Sequence, residues 1–216
     1  MKFANIRMIW SCLTVFAAIM LSACMGSSKP PKPVYYYTLD YETPESQLTH
    51  HLPIILRVER FSVSPPFNSQ RIIYSHGGLQ RNAYAYHQWI AAPGELLPYF
   101  LARDLRRTNG YRAVLTPDAP LSATHSLYGW VEEFIEKDTS TRWQAAATIN
   151  VTLISNLDPD PTRKILLQKR YSAAAPCKDK TPESLAEAMS SAVAEISQAV
   201  AKDVHNRLSA AQTLKY

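Results

Sequence analysis

The segment from Trp143 to Ser155 alternates between apolar and polar side chains, and this pattern constrains the fold more than any other. The apolar positions share one face of an extended strand: Trp143, Ala145, Ala147, Ile149, Val151 and Leu153. A period of two over this length predicts a long β-strand with one buried face. The prolines in residues 158–161 cannot continue a hydrogen-bonded ladder. A turn there predicts an antiparallel hairpin with a partner strand over residues 164–173.

Two segments have the periodicity and the end signals of helices. The first covers residues 94–107, begins after Pro93 and is followed by the stop signal at residues 109–110. The second begins with Thr181 as its N-cap, followed by Pro182. Its apolar stripe contains Leu185, Met189, Val193, Ile196, Val200, Val204 and Leu208. This stripe favours packing against a sheet over a surface that binds partners.

Shorter segments rich in strand-forming residues complete the predicted sheet. They cover residues 34–39, 53–59, 71–74, 111–115 and 127–135. The segment 81–92 does not clearly favour a strand or a helix, and its structure stays open. Together these elements predict an α+β fold, in which a two-layer domain has a mixed, mostly antiparallel sheet with two helices packed on one face.

The N-terminal segment has the features of a bacterial lipoprotein signal. Lys2 and Arg7 precede an apolar core over residues 8–20, and the sequence Leu-Ser-Ala-Cys at positions 21–24 resembles a lipobox. This resemblance implies a signal peptide over residues 1–23 and a diacylglycerol group on Cys24. The alternatives are an uncleaved transmembrane anchor and a chance cysteine. The apolar core is shorter than the roughly 20 residues that a transmembrane span needs, which favours the lipoprotein.

The residues from Cys24 onward divide into a tether and a domain. Residues 24–33 contain Ser, Lys and Pro without apolar periodicity, which predicts a lipidated cysteine followed by a flexible tether. Residues 34–216 are predicted to form one domain, because about 190 residues remain after cleavage. Met25 rather than aspartate follows the cysteine, which resembles outer-membrane sorting signals. We therefore expect a lipid anchor at the outer membrane, with the domain in the periplasm.

Charge and cysteine content narrow the classes of partner. The formal net charge of the whole chain is +5, and Lys2 and Arg7 leave with the signal peptide. The mild positive excess that remains does not indicate a nucleic-acid partner. Cys12 also leaves with the signal and Cys24 carries lipid, so Cys177 has no partner within the mature chain. An unreactive, half-buried thiol is favoured over a disulfide to another subunit.

Sequence motifs for catalysis, cofactors and metals are not found. The six glycines form neither a phosphate-binding loop nor a dinucleotide fingerprint, and there is no Gly-x-Ser-x-Gly motif. Five histidines lack a metal-binding spacing: His50, His51, His76, His87 and His125. Glu132 and Glu133 are neighbours on a predicted strand, so their side chains diverge and do not form a catalytic pair. We therefore predict no catalytic, cofactor-binding or metal-binding residues.

Aromatic residues before the first helix are the candidates for contact with a partner. Large side chains with a polar group suit either a core or an interface, and the sequence does not assign each one. Their density favours Tyr84, Tyr86 and Trp89 as partner-binding residues.

Several short motifs together resemble the ABC-type transport auxiliary lipoprotein family. They are the lipobox Cys24, Tyr36-Tyr37-x-Leu39, residues 55–58, Pro66-Phe67, residues 71–74, and Trp89 before the helix that ends near Leu105. The resemblance covers most of the mature chain. Residues 76–78 and the turn at 158–161 do not match the family pattern, so the surfaces that they build are not assigned by it.

This resemblance implies a non-enzymatic, outer-membrane-anchored component of a lipid transport system. Its expected partners are a periplasmic Mce-domain protein and, through it, an inner-membrane permease and an ATPase. The alternative is a LolB-like carrier of lipid or lipoprotein with an apolar cavity. A periplasmic enzyme is a third class and would require a convergent polar site. The transported lipid, its direction of movement and the number of subunits stay open, a homo-oligomer included.

The substitution Cys24→Ser should abolish lipidation and leave an unprocessed precursor, because the lipid-bearing thioether is required for this route of cleavage. Labelling of cells with radioactive palmitate checks the prediction. Equal label in the wild type and the variant would contradict the assignment of Cys24.

Overall fold

The computed structural model describes residues 30–43, 50–139 and 142–213, which form nine β-strands, three α-helices and a 3-10 helix. The strands are β1 (Tyr35–Tyr37), β2 (Leu52–Val58), β3 (Ser62–Val63), β4 (Arg71–Ser75), β5 (Asn82–Trp89), β6 (Tyr111–Leu115), β7 (His125–Asp138), β8 (Trp143–Ser155) and β9 (Ile165–Pro176). The helices are α1 (Pro93–Arg107), α2 (Pro161–Lys164) and α3 (Pro182–Thr213), and the 3-10 helix is Pro65–Phe67. Cys24 and the predicted signal peptide lie outside the described residues.

Strand β7 is the centre of the sheet. One of its edges pairs with β8 along nearly the full length of both strands. Its other edge pairs in turn with β2, β3 and β4, all parallel to it. Strand β6 extends the sheet beyond β2, while β5 and then β1 extend it beyond β4. A single long strand therefore supports three short ones.

The α+β class and the mixed sheet predicted from the sequence are confirmed. The two longest pairings, β7 with β8 and β8 with β9, are antiparallel. Most of the shorter pairings are parallel, including β1 with β5 and β2 with β6. The sheet is therefore mostly antiparallel by length of pairing but not by number of strand pairs. A tight turn in the sequence indicates an antiparallel hairpin, whereas parallel strands are joined by long connections that leave no such local signal.

The hairpin of β8 and β9 forms as the alternation predicts. Strand β8 has the predicted bounds, and its apolar face is buried from Ala145 to Leu153. The predicted turn contains the short helix α2, where the Asp160 side chain accepts a hydrogen bond from the Thr162 backbone amide at 2.9 Å. This cap helps the two prolines to reverse the chain.

Helix α1 begins and ends where the sequence signals place it. Pro93 is its first residue, and Asn109 follows its end with a positive φ of 52°. The backbone amide of Phe61 donates a hydrogen bond to the carbonyl of Gly94 at 3.2 Å. A Cβ on Gly94 would lie 2.6 Å from the carbonyl oxygen of Phe61, so glycine permits this close approach.

Helix α3 provides the largest apolar stripe of the core. The hydroxyl of Thr181 accepts a hydrogen bond from the backbone amide of Ser184 at 3.2 Å, as expected of an N-cap. All seven residues of the predicted stripe are buried, and the helix packs against β8, β9 and α1. Among the described helices, none has the length and apolar character needed to cross a membrane.

The segment that the sequence left open forms strand β5. It pairs antiparallel with β4 and parallel with β1. Its register against β4 shifts between Ala83 and Gln88, which leaves a bulged segment in the middle of the strand. The bulge interrupts the period of two, and the sequence pattern there is accordingly ambiguous.

The substitution Leu185→Ala should lower the free energy of unfolding by about 2–5 kcal/mol, because Leu185 is fully buried in the core. Urea unfolding of the full chain measures the change. The matched control is Leu79→Ala, which removes the same atoms from a fully exposed side chain and should change stability by less than about 0.5 kcal/mol. Equal effects of the two substitutions would contradict the role of α3 in the core.

Burial should make His205 a source of acid sensitivity. Burial holds the pKa of its imidazole below the ordinary 6.5, with a smaller contribution from His50. As the pH falls below 6.5, the unfolded state takes up a proton before the folded state does, so stability falls. His205→Leu should therefore weaken the loss of stability between pH 7 and pH 5, measured by urea unfolding, while His51→Leu at an exposed position should not. An unchanged pH profile in His205→Leu would contradict this account.

Candidate functional site

The three aromatic residues predicted to bind a partner lie on one strand, β5, but in three environments. Trp89 is 1% exposed and packs against Phe134, with ring centroids 5.1 Å apart. Its prediction as a contact residue is corrected, because a side chain filling the core cannot touch a partner. Tyr84 is half-buried, and Tyr86 is exposed. Partner binding by Tyr86 stays a prediction.

Tyr84 contributes to a pocket of about 380 Å³, which we call the tyrosine pocket. It is lined by Tyr74, His76, Ala83, Tyr84, Ala85, Glu136, Asp138 and Trp143. The register of the sheet brings the main groups together, since Tyr74 on β4 is paired with Glu136 on β7. Residues far apart in the sequence thus converge at one end of β7.

A β-bulge explains why a glutamate lies on the core face of β7. The register of β7 against β8 shifts between Val131 and Glu133, so one extra residue is inserted in β7. Such an insertion exchanges the two faces of a strand for all later residues. Val131 before the bulge and Phe134 after it consequently share the core face, and Glu136 follows Phe134 on that face.

Glu136 is the most unusual group in the pocket. It is 1% exposed, and both of its carboxylate oxygens accept a hydrogen bond from the Tyr84 hydroxyl, at 3.2 and 3.0 Å. Burial raises the pKa of Glu136 to about 7, and the nearby Asp138 adds to this rise, while the Tyr84 hydrogen bond opposes it. Glu136 therefore exchanges its proton near neutral pH.

The rim of the pocket contains a histidine, an aspartate and an aromatic corner. Nδ1 of His76 lies 2.7 Å from Oδ2 of Asp138, and the His76 side chain is mostly exposed. The Tyr74 ring meets the Tyr84 ring at a centroid distance of 5.0 Å and an angle of 60°. Tyr74 also contacts the His76 ring edge-on at 5.1 Å. These contacts give the pocket aromatic walls and an acidic floor.

The free thiol of Cys177 lies close to this acidic group. Burial raises the pKa of Cys177 to about 11, and the charge of Glu136 contributes to the shift. At neutral pH the group is a thiol rather than the nucleophilic thiolate. This matches the unreactive, half-buried cysteine predicted from the sequence. The chemistry that the pocket supports is therefore proton exchange and binding, without an activated cysteine.

A second feature is a group of three exposed tyrosines at the β1 edge of the sheet. We call Tyr35, Tyr36 and Tyr86, which are 52%, 56% and 41% exposed, the aromatic edge. Tyr35 stacks on His87 with ring centroids 5.3 Å apart. The hydroxyl of Tyr37 donates to Oε1 of Glu183 at 2.8 Å and lies 2.9 Å from Nδ1 of His87. Strand β1 is thereby fixed to both β5 and the start of α3.

A third feature is an open groove of about 720 Å³ beside the C-terminal part of α3. Apolar residues that line it include Ile54, Leu157, Leu166 and Leu208, and polar ones include His125, Asp158 and Arg163.

No group of three or more His, Cys, Asp or Glu side chains comes together as a metal site in the described ranges.

Sequence reasoning missed Glu136 and the tyrosine pocket. The predicted strand ended at residue 135, so Glu136 fell just beyond it. A glutamate two residues after the buried Phe134 was the available signal, but which face of β7 is buried there depends on the bulge before Phe134, and that bulge is a long-range feature.

Comparison with solved structures shows the fold. Protein XCC0632 from Xanthomonas campestris, of the DUF330 family, superposes with a TM-score of 0.66 at 14% identity, covering 85% of this chain and 98% of that one. The crystal structure of an uncharacterised protein has a TM-score of 0.63 at 13% identity, covering 80% of this chain and 99% of that one. No curated protein matches the sequence.

The family assignment comes from the sequence of the domain. The family model described as an ABC-type transport auxiliary lipoprotein component matches residues 37–201, which contain the last residue of β1, all of β2 to β9 and most of α3. This range includes the tyrosine pocket and all three residues predicted from the sequence to bind a partner, Tyr84, Tyr86 and Trp89. The chain therefore belongs to the ABC-type transport auxiliary lipoprotein family.

Proposed function

We propose that this protein is a non-enzymatic outer-membrane lipoprotein that docks a periplasmic Mce-domain protein. Through that partner it would work with an inner-membrane permease and an ATPase in lipid transport. Membership of the family supports a role in ABC-type transport. The lipobox at Cys24 and the following Met25 support the lipid anchor and the choice of the outer membrane.

The aromatic edge is the observation that carries the docking proposal. Tyrosine is enriched among residues that dominate binding energy, since it combines a large contact area with a hydroxyl. Tyr35 and Tyr36 belong to β1, the last strand at one end of the sheet, which pairs with β5 and with no other described strand. An edge strand also offers backbone groups for pairing with an extended segment of a partner.

The LolB-like carrier is the second candidate, and the groove beside α3 is the observation in its favour. A carrier needs an apolar cavity large enough for acyl chains. The groove is large, but it is open and carries the charged residues Asp158 and Arg163 beside its apolar ones. The buried side of the sheet is filled by large residues such as Trp89, Phe134 and Met189. We therefore favour docking over carriage.

Substitution of Tyr36 and Tyr86 by alanine should weaken co-purification with the proposed Mce-domain partner. Truncation of an aromatic residue that dominates an interface costs about 2 kcal/mol or more, roughly thirtyfold in affinity. The matched control is Tyr99→Ala, an exposed tyrosine on α1. Thermal unfolding of each variant shows whether its fold is intact.

Two outcomes would contradict the proposed function. If the full chain does not bind the Mce-domain protein but removes lipid from vesicles by itself, the carrier is correct. If mature protein fractionates with the inner membrane, the placement at the outer membrane is wrong.

A further inference from the structure

We propose that the tyrosine pocket binds an organic ammonium group, such as the trimethylammonium group of choline or the amine of ethanolamine. Its walls, its buried carboxylate and its volume each support this ligand class. The assignment is independent of the docking function, since it concerns Tyr74, Tyr84, Trp143 and Glu136 rather than the aromatic edge.

The walls have the chemistry that recognises organic cations. The rings of Tyr74 and Tyr84 meet at 60°, and Trp143 is a third aromatic residue in the lining. A cation close to the face of an aromatic ring is attracted by the negative charge of the π-system, and cages of such rings recognise quaternary ammonium groups. Among the described residues that line the pocket, none is a lysine or an arginine that would repel a cation.

The buried carboxylate provides the charge that such a ligand would neutralise. An ionised carboxylate has about four acceptor positions, and the described donor that reaches Glu136 is the single hydroxyl of Tyr84. The second acid, Asp138, is engaged by His76 at the rim. A bound ammonium group would place a positive charge beside Glu136, whereas the protein itself provides only the neutral hydroxyl of Tyr84 among the hydrogen bonds described there.

The volume fits a ligand of this size. A cavity of about 380 Å³ lies within the range of small-molecule sites, roughly 300–1,000 Å³. The ammonium group has two sources, a free amine in the periplasm or the head group of a phospholipid, and both present the same chemistry to the pocket.

Calorimetric titration of the full chain with choline tests the proposal. The protein is kept in dodecyl maltoside, whose head group is uncharged, at pH 8. We expect choline to bind at least about tenfold more tightly than 3,3-dimethylbutanol, its uncharged isostere. Equal binding of the two compounds, or no binding of choline, would overturn the proposal.

Two variants test the residues. Glu136→Gln should weaken choline binding by about tenfold or more, and Tyr74→Leu should weaken it through loss of one wall. The matched control is Glu133→Gln on the same strand, because Glu133 pairs with Lys137 at 2.8 Å and does not line the pocket. Unchanged affinity in both pocket variants, with the fold intact, would overturn the site.

The dependence on pH is a further check. Protonation of Glu136, whose pKa is about 7, removes the negative charge and so opposes a cation. His76, Asp138, Tyr74, Tyr84 and Cys177 are the other titratable groups that face or adjoin Glu136. Choline affinity should therefore fall from pH 8 to pH 6 in the wild type and fall less in Glu136→Gln. An affinity that rises over this range would contradict the proposal.

Competition identifies the source of the ammonium group. Mixed micelles containing phosphatidylethanolamine or phosphatidylcholine should displace choline if the pocket accepts a lipid head group, whereas phosphatidylglycerol should not. Displacement by free ethanolamine alone would assign the site to soluble amines. Equal displacement by phosphatidylglycerol would overturn recognition of the ammonium group.

Discussion

The structure depends on the pairing of strand β7 at both of its edges. One edge is covered by β8, and the other is shared by three short strands that would each be marginal alone. The bulge between Val131 and Glu133 then sets which side chains of β7 face the core. The same bulge offsets the pairing of β7 with β8 by one residue and places Glu136 beside Tyr84.

Local signals explain why much of the fold could be predicted from the sequence. The alternation of β8, the prolines at 158–161 and the cap at Thr181 each act within a few residues, and the corresponding elements form where expected. Parallel pairing of β7 with β2, β3 and β4 joins residues that are distant in the chain, so no local sequence pattern predicts it. The sequence did not assign residues 81–92 to a strand for a related reason, because the bulge in β5 interrupts the period of two.

The candidate site was less predictable than the fold because burial of an aromatic residue is decided by its neighbours. Tyr84, Tyr86 and Trp89 are similar in sequence terms, yet they line a pocket, face solvent and fill the core. Regular alternation would have placed Tyr84 and Tyr86 on one face of β5 and Trp89 on the other, and the shift in register within β5 removes this rule. Tyr86 is exposed, as a residue that contacts a partner must be, and Trp89 is buried.

Two buried acids differ in how the protein compensates for their burial. Asp104 joins α1, α3 and residues 41–43, and accepts hydrogen bonds from Tyr41, Thr43, Arg103 and Ser197. Those four donors compensate for its burial. Glu136 accepts hydrogen bonds from the hydroxyl of Tyr84, and burial raises its pKa to about 7, so the pocket favours the protonated form more than water does. A buried carboxylate with so few donors, beside an open pocket with aromatic walls, suits the binding of a cation that we propose, whereas the four donors of Asp104 suit a structural contact.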